Sequence, residues 1–185
     1  GRKKIMKKIL LICTGGTIAS KNSGRGLAPE IGADGLLEYV PKIKEKYKIE
    51  TRDLCNIDST NITKEVWEKI IKTIKEEKEK YDGIVISHGT DTLSYTAAIL
   101  YYALGDIRKN VVVTGAQLPI ENEKTDARVN LADAIEIAAA EETLGVCVVF
   151  GGKVIKGNKS KKTDTMKFEA FESINSPLLA EIKEE

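Results

Sequence analysis

Four short apolar runs recur along the chain, and each is followed by small or polar residues. They lie at residues 9–13, 84–86, 111–113 and 146–150. The runs are rich in Val, Ile and Leu and lack the apolar–polar alternation of a half-exposed strand. Continuous apolar runs of this length are typical of strands that are buried on both faces of a parallel sheet.

Helical periodicity lies between these runs. Residues 64–80 carry apolar side chains three and four positions apart, with Lys and Glu on the other face, and Thr63 precedes them as an N-cap. Residues 94–104 and 131–140 predict two more buried helices. The alternation predicts an α/β fold, a doubly wound, mostly parallel sheet with helices on both faces (a flavodoxin-like three-layer architecture). The lysine-rich segment 153–166 is predicted to be an exposed loop or hairpin.

Composition narrows the class of protein. The chain has 185 residues, of which 42% are hydrophobic, and its formal charge is +1, which fits one globular domain preceded by a short tail at residues 1–6. The near-neutral charge predicts no nucleic-acid or membrane partner, and no apolar run approaches the ~18 residues of a membrane helix. Cys13, Cys55 and Cys147 lack metal-ligand spacing, and Cys13 and Cys147 lie inside apolar runs, so a disulfide is disfavoured and a reducing compartment is the simpler prediction.

The polar residues that follow the apolar runs mark a candidate site. Because ligands bind at the carboxyl ends of parallel strands, the segments 14–17, 87–92, 114–117 and 151–152 are expected to meet at one sheet edge. Turn formation alone explains Gly and Thr at any one of them. Four such segments at one edge favour an active site.

Thr17 is a candidate nucleophile. It follows two glycines at a strand end, where a sharp turn presents its hydroxyl, but the hydroxyl needs a nearby base to ionise. The segment lacks the Lys-Ser/Thr ending of a P-loop and the third glycine of a dinucleotide fingerprint. A phosphate site is therefore the weaker interpretation.

Two adjacent residues, Thr90 and Asp91, offer a proton relay and an anchor for a substrate ammonium group. His88 in the same segment is the only histidine, and it is either a general base or, as we favour, a packing residue of the loop. Lys162 lies among several lysines. A lysine held out of water can serve as the base for a threonine hydroxyl.

The residues Asp58, Ser59 and Thr60 precede the helix predicted at residues 64–80. The N-terminus of a helix favours a substrate carboxylate through its free N–H groups and its dipole. Capping alone also explains these residue types.

At this point the sequence resembles the bacterial and archaeal L-asparaginases, and it is most similar to their cytoplasmic type I branch. The resemblance rests on motifs that occur in the family's order and span nearly the whole chain. They are TGGTIA (14–19), NIDSTN (56–61), HGTDT (88–92), TGAQ (114–117), KTDA (124–127), KTDT (162–165) and FEAFESIN (168–175).

The resemblance implies an amidohydrolase that converts L-asparagine to L-aspartate and ammonia through an acyl-threonine intermediate. Thr17 would be the nucleophile, and Thr90, Asp91 and Lys162 would handle protons, with Lys162 as the base. Backbone N–H groups near Thr90 and Ala116 would stabilise the oxyanion. The chemistry would need no metal and no cofactor. The implied substrate-binding residues are Gly16, Asp58, Ser59, Thr60, Gly89 and Ala116.

Two departures from the family pattern change what we expect. Many relatives place a tyrosine in the flap after the first threonine, whereas residues 21–29 contain none. The second departure is length, because the family has a second, smaller α/β domain in addition to the part that these motifs cover. We therefore expect residues 1–185 to be the N-terminal catalytic domain alone, with little activity until the C-terminal domain of its own or a partner subunit is supplied, and to act in a homo-oligomer.

Other functions stay open. The nearest is the core of a D-type glutamyl-tRNA amidotransferase, which passes ammonia to a transamidation partner. A non-catalytic amino-acid-binding module and a nucleotide-binding flavodoxin-like domain are further alternatives. Preference for asparagine over glutamine also stays open, because one methylene contributes only ~1–3 kcal/mol of discrimination.

Overall fold

The computed structural model describes residues 5–22, 27–29, 31–57 and 61–184. Strands and helices alternate along the chain, as predicted. In chain order the elements are β1 (Lys8–Gly15), β2 (Ser20–Asn22), β3 (Leu27–Pro29), α1 (Ala33–Leu37), α2 (Pro41–Lys46), β4 (Lys48–Ile57), α3 (Lys64–Glu77), β5 (Gly83–Ser87), α4 (Leu93–Leu104), β6 (Asn110–Thr114), α5 (Ala127–Ala138), β7 (Val146–Phe150), β8 (Lys153–Lys156), β9 (Ser160–Lys162), β10 (Phe171–Ser173) and β11 (Ala180–Glu181).

Seven of the described strands form one sheet in the order β11-β8-β7-β6-β5-β1-β4. The five neighbouring strands β7, β6, β5, β1 and β4 are parallel to one another. Strands β8 and β11 extend the sheet beyond β7, and each pairs antiparallel with its neighbour. The four apolar runs form β1, β5, β6 and β7. The predicted mostly parallel α/β sheet is confirmed.

Side chains of the central strands alternate between two apolar layers. On β1, Ile9 and Leu11 pack in the layer that contains α1 and α5, whereas Leu10 and Ile12 pack in the layer that contains α3 and α4. Both faces of β1 are fully buried, which explains why its sequence shows no alternation. Helices therefore cover both faces of the sheet, as the three-layer prediction requires.

Three elements differ from the sequence prediction. Helix α5 begins at Ala127, four residues before the expected start. Thr63 occupies the N-cap position of α3, but its side chain makes no capping hydrogen bond. The prediction of an exposed loop or hairpin at 153–166 is wrong about the exposure of β8, because pairing with β7 buries Val154 and Ile155 completely.

The sequence does not predict strand β4, because charged residues interrupt its apolar positions and, among the described strands, it pairs with β1 alone. In the part of the chain that the structure describes, no helix is long and apolar enough to cross a membrane.

Candidate active site

The strand register brings three polar segments to one edge of the sheet. Cys13 on β1 pairs with Ser87 on β5, and Ser87 pairs with Thr114 on β6. The segments that follow these three strands therefore start at the same level. This is the edge where the sequence predicted a site.

Glycines let the segments touch. Gly16 has a φ of 86°, and a Cβ on it would lie 2.5 Å from the Cα of Gly89. A Cβ on Gly115 would lie 2.3 Å from the carbonyl oxygen of His88. Only glycine fits at both positions, so Thr17 and Thr90 follow two glycines whose backbones are in contact.

Lys162 lies between Thr90 and Asp91. Its Nζ donates hydrogen bonds to Thr90 Oγ1 at 2.8 Å and to Asp91 Oδ1 at 2.9 Å. Thr90 is buried, the Lys162 side chain is 14% exposed, and the Asp91 side chain is 54% exposed. An ammonium group only donates, so the Thr90 hydroxyl keeps its own proton for another acceptor. An uncharged Lys162 amine could accept that proton.

A short hairpin brings Lys162 to this edge. Strand β9 pairs with β10 so that Lys162 faces Phe171 and Lys161 faces Glu172, and Thr163 N–H donates to the carbonyl of Ala170 at 2.7 Å. Side chains alternate along a strand. Lys161 is exposed, whereas Lys162 turns towards Thr90.

Thr17 begins a 3₁₀ turn that spans Thr17–Ala19, and its side chain is half-buried. The turn is held by the Ser20 hydroxyl, which donates to the carbonyl of Thr17 at 2.8 Å. Two other threonines at the same edge use their hydroxyl groups to hold the backbone. Thr14 donates to the carbonyl of Ser87 and Thr114 donates to that of Val149, each at 2.7 Å.

The segment that carries Ala116 is held by helix α5. The Asp126 carboxylate accepts the N–H groups of Gln117 at 3.0 Å and Leu118 at 3.1 Å. Asn130 Nδ2 donates to the carbonyl of Gly115 at 3.0 Å. Burial raises the pKa of Asp126, although these N–H donors oppose the shift. Ala116 is buried between these fixed points.

His88 packs beneath the loop, in agreement with the favoured interpretation. It is 1% exposed, and both ring nitrogens have partners, namely the carbonyl of Gly89 and the hydroxyl of Thr96. Burial lowers the pKa of His88 to about 4. The imidazole is therefore uncharged at neutral pH.

A cavity of about 560 Å³ opens beside the lysine. Among the described residues its walls include Asp91, Ser94 and Lys162 but not Thr17. This volume suits a small ligand. The walls place the cavity on the lysine side of the site, so it is not by itself a pocket around both threonines.

Three predicted substrate residues, Asp58, Ser59 and Thr60, lie outside the described residues, as do positions 23–26 of the predicted flap. Their roles stay predictions. The two flanking strands of that flap, β2 and β3, pair antiparallel. Within the described ranges, no group of His, Cys, Asp and Glu is arranged to hold a metal ion.

The sequence reasoning missed the residues that support the loops. In the sequence, Asp126 is one residue of the KTDA motif and Trp67 is one apolar residue of the helix predicted at 64–80, while Asn130 and Thr96 carry no signal of their own. Asp and Asn one turn apart near a helix start are a weak signal, because capping explains them as well. The pairing of Trp67 with Thr96 carries no local signal, since 29 residues separate the two.

Fold and edge together define an α/β protein with a candidate small-molecule site at the carboxyl ends of its parallel strands. Residues 8–185 match the family model described as "Asparaginase, N-terminal". The chain therefore belongs to the asparaginase family, which confirms the resemblance.

The chain is similar to several characterised proteins. The L-asparaginase of Thermococcus kodakarensis is 40% identical over 177 residues, which cover 95% of this chain and 54% of that protein. Its solved structure superposes with a TM-score of 0.84 at 39% identity, with the same coverage. L-asparaginase 1 of Escherichia coli is 35% identical over 95% of this chain and 53% of its own length. The chain thus spans about half the length of these relatives.

The chain is also similar to a protein that is not named as an asparaginase. The D-type glutamyl-tRNA(Gln) amidotransferase component of Methanococcus vannielii is 34% identical over 96% of this chain and 43% of its own length.

Proposed function

We propose that the chain is the nucleophile-bearing part of an L-asparaginase, an amidohydrolase that forms L-aspartate and ammonia from L-asparagine. The contact between Lys162 Nζ and Thr90 Oγ1, at 2.8 Å, is the observation that carries this proposal. It couples a buried hydroxyl to an amine, and the loop that carries this hydroxyl contacts the turn of Thr17 through Gly89 and Gly16. A hydroxyl nucleophile needs such a base.

The proposed reaction has two displacements. Thr17 Oγ bonds to the side-chain amide carbon of asparagine while its proton passes through the Thr90 hydroxyl to the uncharged Lys162 amine. The carbon–nitrogen bond then breaks, and the nitrogen leaves as ammonia with that proton. Water attacks the resulting ester and gives a proton to the same pair. Breaking the ester bond releases aspartate and returns a proton to Thr17.

Charge complementarity assigns the two ends of the substrate. The half-exposed Asp91 carboxylate would bind the ammonium group, and the Ser59 hydroxyl would donate to the carboxylate, with Asp58 and Thr60 as further substrate-binding residues. Gly16, Gly89 and Ala116 would line the reacting end. The N–H groups of Thr90 and Ala116 would stabilise the oxyanion. These steps draw on protein groups alone, without a cofactor.

We further propose that full turnover needs a second part, equivalent to the half of the relatives that this chain does not match, supplied by the same or a neighbouring subunit of a homo-oligomer. The cytoplasm is the proposed location, because Cys13 and Cys147 are buried free thiols that suit a reducing compartment.

An amidotransferase core is the second candidate, because the Methanococcus vannielii protein is 34% identical. Both candidates release ammonia from an amide. They differ in the substrate, since the second would act on glutamine and pass the ammonia to a partner enzyme.

The test measures ammonia release from asparagine and from glutamine, with the chain alone and fused to the unmatched half of the Thermococcus kodakarensis relative. We expect turnover of asparagine by the fusion and little by the chain alone. Thr17→Val and Thr90→Val should each lower turnover at least ~10³-fold. Thr114→Val is the matched control, because its hydroxyl serves a backbone carbonyl.

If the fusion is inactive, titration of the chain with L-aspartate, followed by NMR, tests the proposed site instead. Aspartate binding that displaces the Thr90 and Asp91 amide signals supports the proposed site. An active Thr17→Val variant contradicts the acyl-threonine mechanism, and binding by a folded fusion without turnover indicates an amino-acid-binding module.

A further inference from the structure

A line of side chains runs from helix α3 through helix α4 to the loop that bears Thr90. Trp67 Nε1 lies 2.8 Å from Thr96 Oγ1, and Thr96 Oγ1 lies 2.8 Å from His88 Nε2. At the other side of the imidazole, His88 Nδ1 lies 2.7 Å from the carbonyl oxygen of Gly89. Thr96 and His88 are buried.

The chemistry of the end groups and the uncharged state of the buried ring together fix the direction of every bond. The carbonyl of Gly89 can only accept, so His88 Nδ1 must carry the ring proton. The uncharged ring then offers Nε2 as an acceptor, and the Thr96 hydroxyl donates to it. The indole N–H of Trp67 can only donate, so it donates to Thr96 Oγ1. One tautomer and one hydroxyl orientation satisfy the line.

This line of side chains ends at the peptide group between Gly89 and Thr90. The Gly89–Thr90 peptide is trans and planar, so its carbonyl and its N–H point in opposite directions. Holding the Gly89 carbonyl against the imidazole therefore turns the Thr90 N–H away from His88. The main chain of His88 is itself fixed, because its N–H donates to the carbonyl of Thr114 at 2.8 Å.

A role for His88 as a general base does not fit this geometry. Both ring nitrogens are engaged inside the protein, and the side chain has almost no contact with solvent. The ring would have to break a buried hydrogen bond to take a proton from a substrate. A group that acts through the peptide it holds is a positioning residue.

We propose that Trp67, Thr96 and His88 are positioning residues that orient the Gly89–Thr90 peptide, so that the Thr90 N–H and hydroxyl face the reacting amide together. The inference rests on the proposed asparaginase function for its kinetic consequence. Its structural consequence, the fixed tautomer and the fixed peptide, stands on the contacts alone.

The structural arm uses NMR of the chain labelled with ¹⁵N. His88 is the only histidine, so the spectrum contains one imidazole. We expect an uncharged ring with its proton on Nδ1, and Thr96→Val should change the ring shifts and the Thr90 amide shift. A ring proton on Nε2, or an unchanged Thr90 amide in a folded Thr96→Val protein, overturns the inference.

The kinetic arm uses the active fusion. Thr96→Val should lower kcat about 10-fold and change KM less than about 2-fold, because a misdirected oxyanion donor weakens transition-state binding only. Thr96→Ser keeps the hydroxyl and should stay within about 3-fold of the parent. Trp67→Phe should cause a smaller fall, since it removes only the outer donor.

Thr73→Val is the matched control. Thr73 on α3 is also buried, and its hydroxyl donates to the carbonyl of Lys69 in its own helix at 2.8 Å. Equal losses of kcat in Thr73→Val and Thr96→Val contradict a positioning role. An inactive parent fusion contradicts the proposed function instead, and the NMR arm then decides the inference.

Discussion

The backbones of Gly16 and Gly89 lie in direct contact, although 73 positions separate them in the numbered sequence. This contact sets the distance between the turn of Thr17 and the loop of Thr90. The positive φ of Gly16, 86°, adds a conformational requirement to the steric one. A single substitution can therefore test whether the two loops need this approach.

Gly16→Ala should lower the free energy of unfolding by about 2–5 kcal/mol, because the left-handed backbone costs about 1–2 kcal/mol and forcing in a methyl group costs about 1–3 kcal/mol. Gly105→Ala is the control. Gly105 has a φ of 54°, and a Cβ there would meet nothing within 4 Å, so only the conformational cost applies. Urea unfolding compares the two, and equal losses would mean that the contact with Gly89 is not tight.

Lys162→Met should abolish most turnover in the active fusion, at least ~10²-fold, because the Thr90 hydroxyl loses its proton acceptor. The free energy of unfolding should change by no more than about 1 kcal/mol, since the Asp91 side chain is 54% exposed and such ion pairs contribute little. Lys161→Met is the matched control on the exposed face of β9. Comparable turnover in the two variants would exclude Lys162 as the base.

Asp126→Ala should lower the free energy of unfolding by about 2–4 kcal/mol, because two N–H groups lose their acceptor in a buried setting. Asp126→Asn keeps one oxygen acceptor, so a smaller loss is expected. Asp126 makes no side-chain cap for α5, and its contact with Asn130 Nδ2 on that helix is long, at 3.4 Å, so most of the loss belongs to the loop. Hydrogen exchange at Gln117 and Leu118 measures it, and unchanged exchange in the alanine variant would refute the assignment.

Asp133 makes stability depend on pH. Burial, with Glu136 and Glu184 nearby, raises the pKa of Asp133 to about 6. The folded state therefore holds a proton that the unfolded state, with a pKa of about 3.9, has released. The free energy of unfolding from this group must fall as pH rises from about 4 to about 6.

Asp133→Asn should remove that fall and stabilise the protein by about 1–2 kcal/mol at pH ~7.5, a value reduced for solvent screening. At pH ~4 the variant should match the parent. Asp106→Asn is the control, because that side chain is 79% exposed. Urea unfolding at both pH values checks the prediction, and a gain at pH ~4 as large as at pH ~7.5 would count against it.

Local pattern was sufficient for the central sheet. The apolar runs at β1, β5, β6 and β7 could be read directly, because a strand buried on both faces needs apolar side chains at every position. Strand β4 lacks that signature, since it pairs on one side only and carries charge. Segment 153–156 lacks the signature for a related reason, because β8 has only two buried residues and a lysine at each end.

The candidate site divides in the same way. Glycine and threonine after the strands indicated the edge that carries the candidate site, because parallel strands end on the same side of a sheet. Sequence alone could not select one lysine from the cluster around residues 159–162. The pairing of β9 with β10 distinguishes the lysines, because it turns Lys162 inward and leaves Lys161 exposed.

By itself, then, the sequence determined the layered α/β architecture and the edge where the candidate site lies, since both follow from the pattern of neighbouring residues. The tertiary structure decided which distant side chains meet there. It placed Lys162 on Thr90, 72 residues away, and it joined Trp67 and Thr96 to His88. Those contacts depend on how helices and hairpins pack across the sheet, and no local pattern of residues encodes that packing.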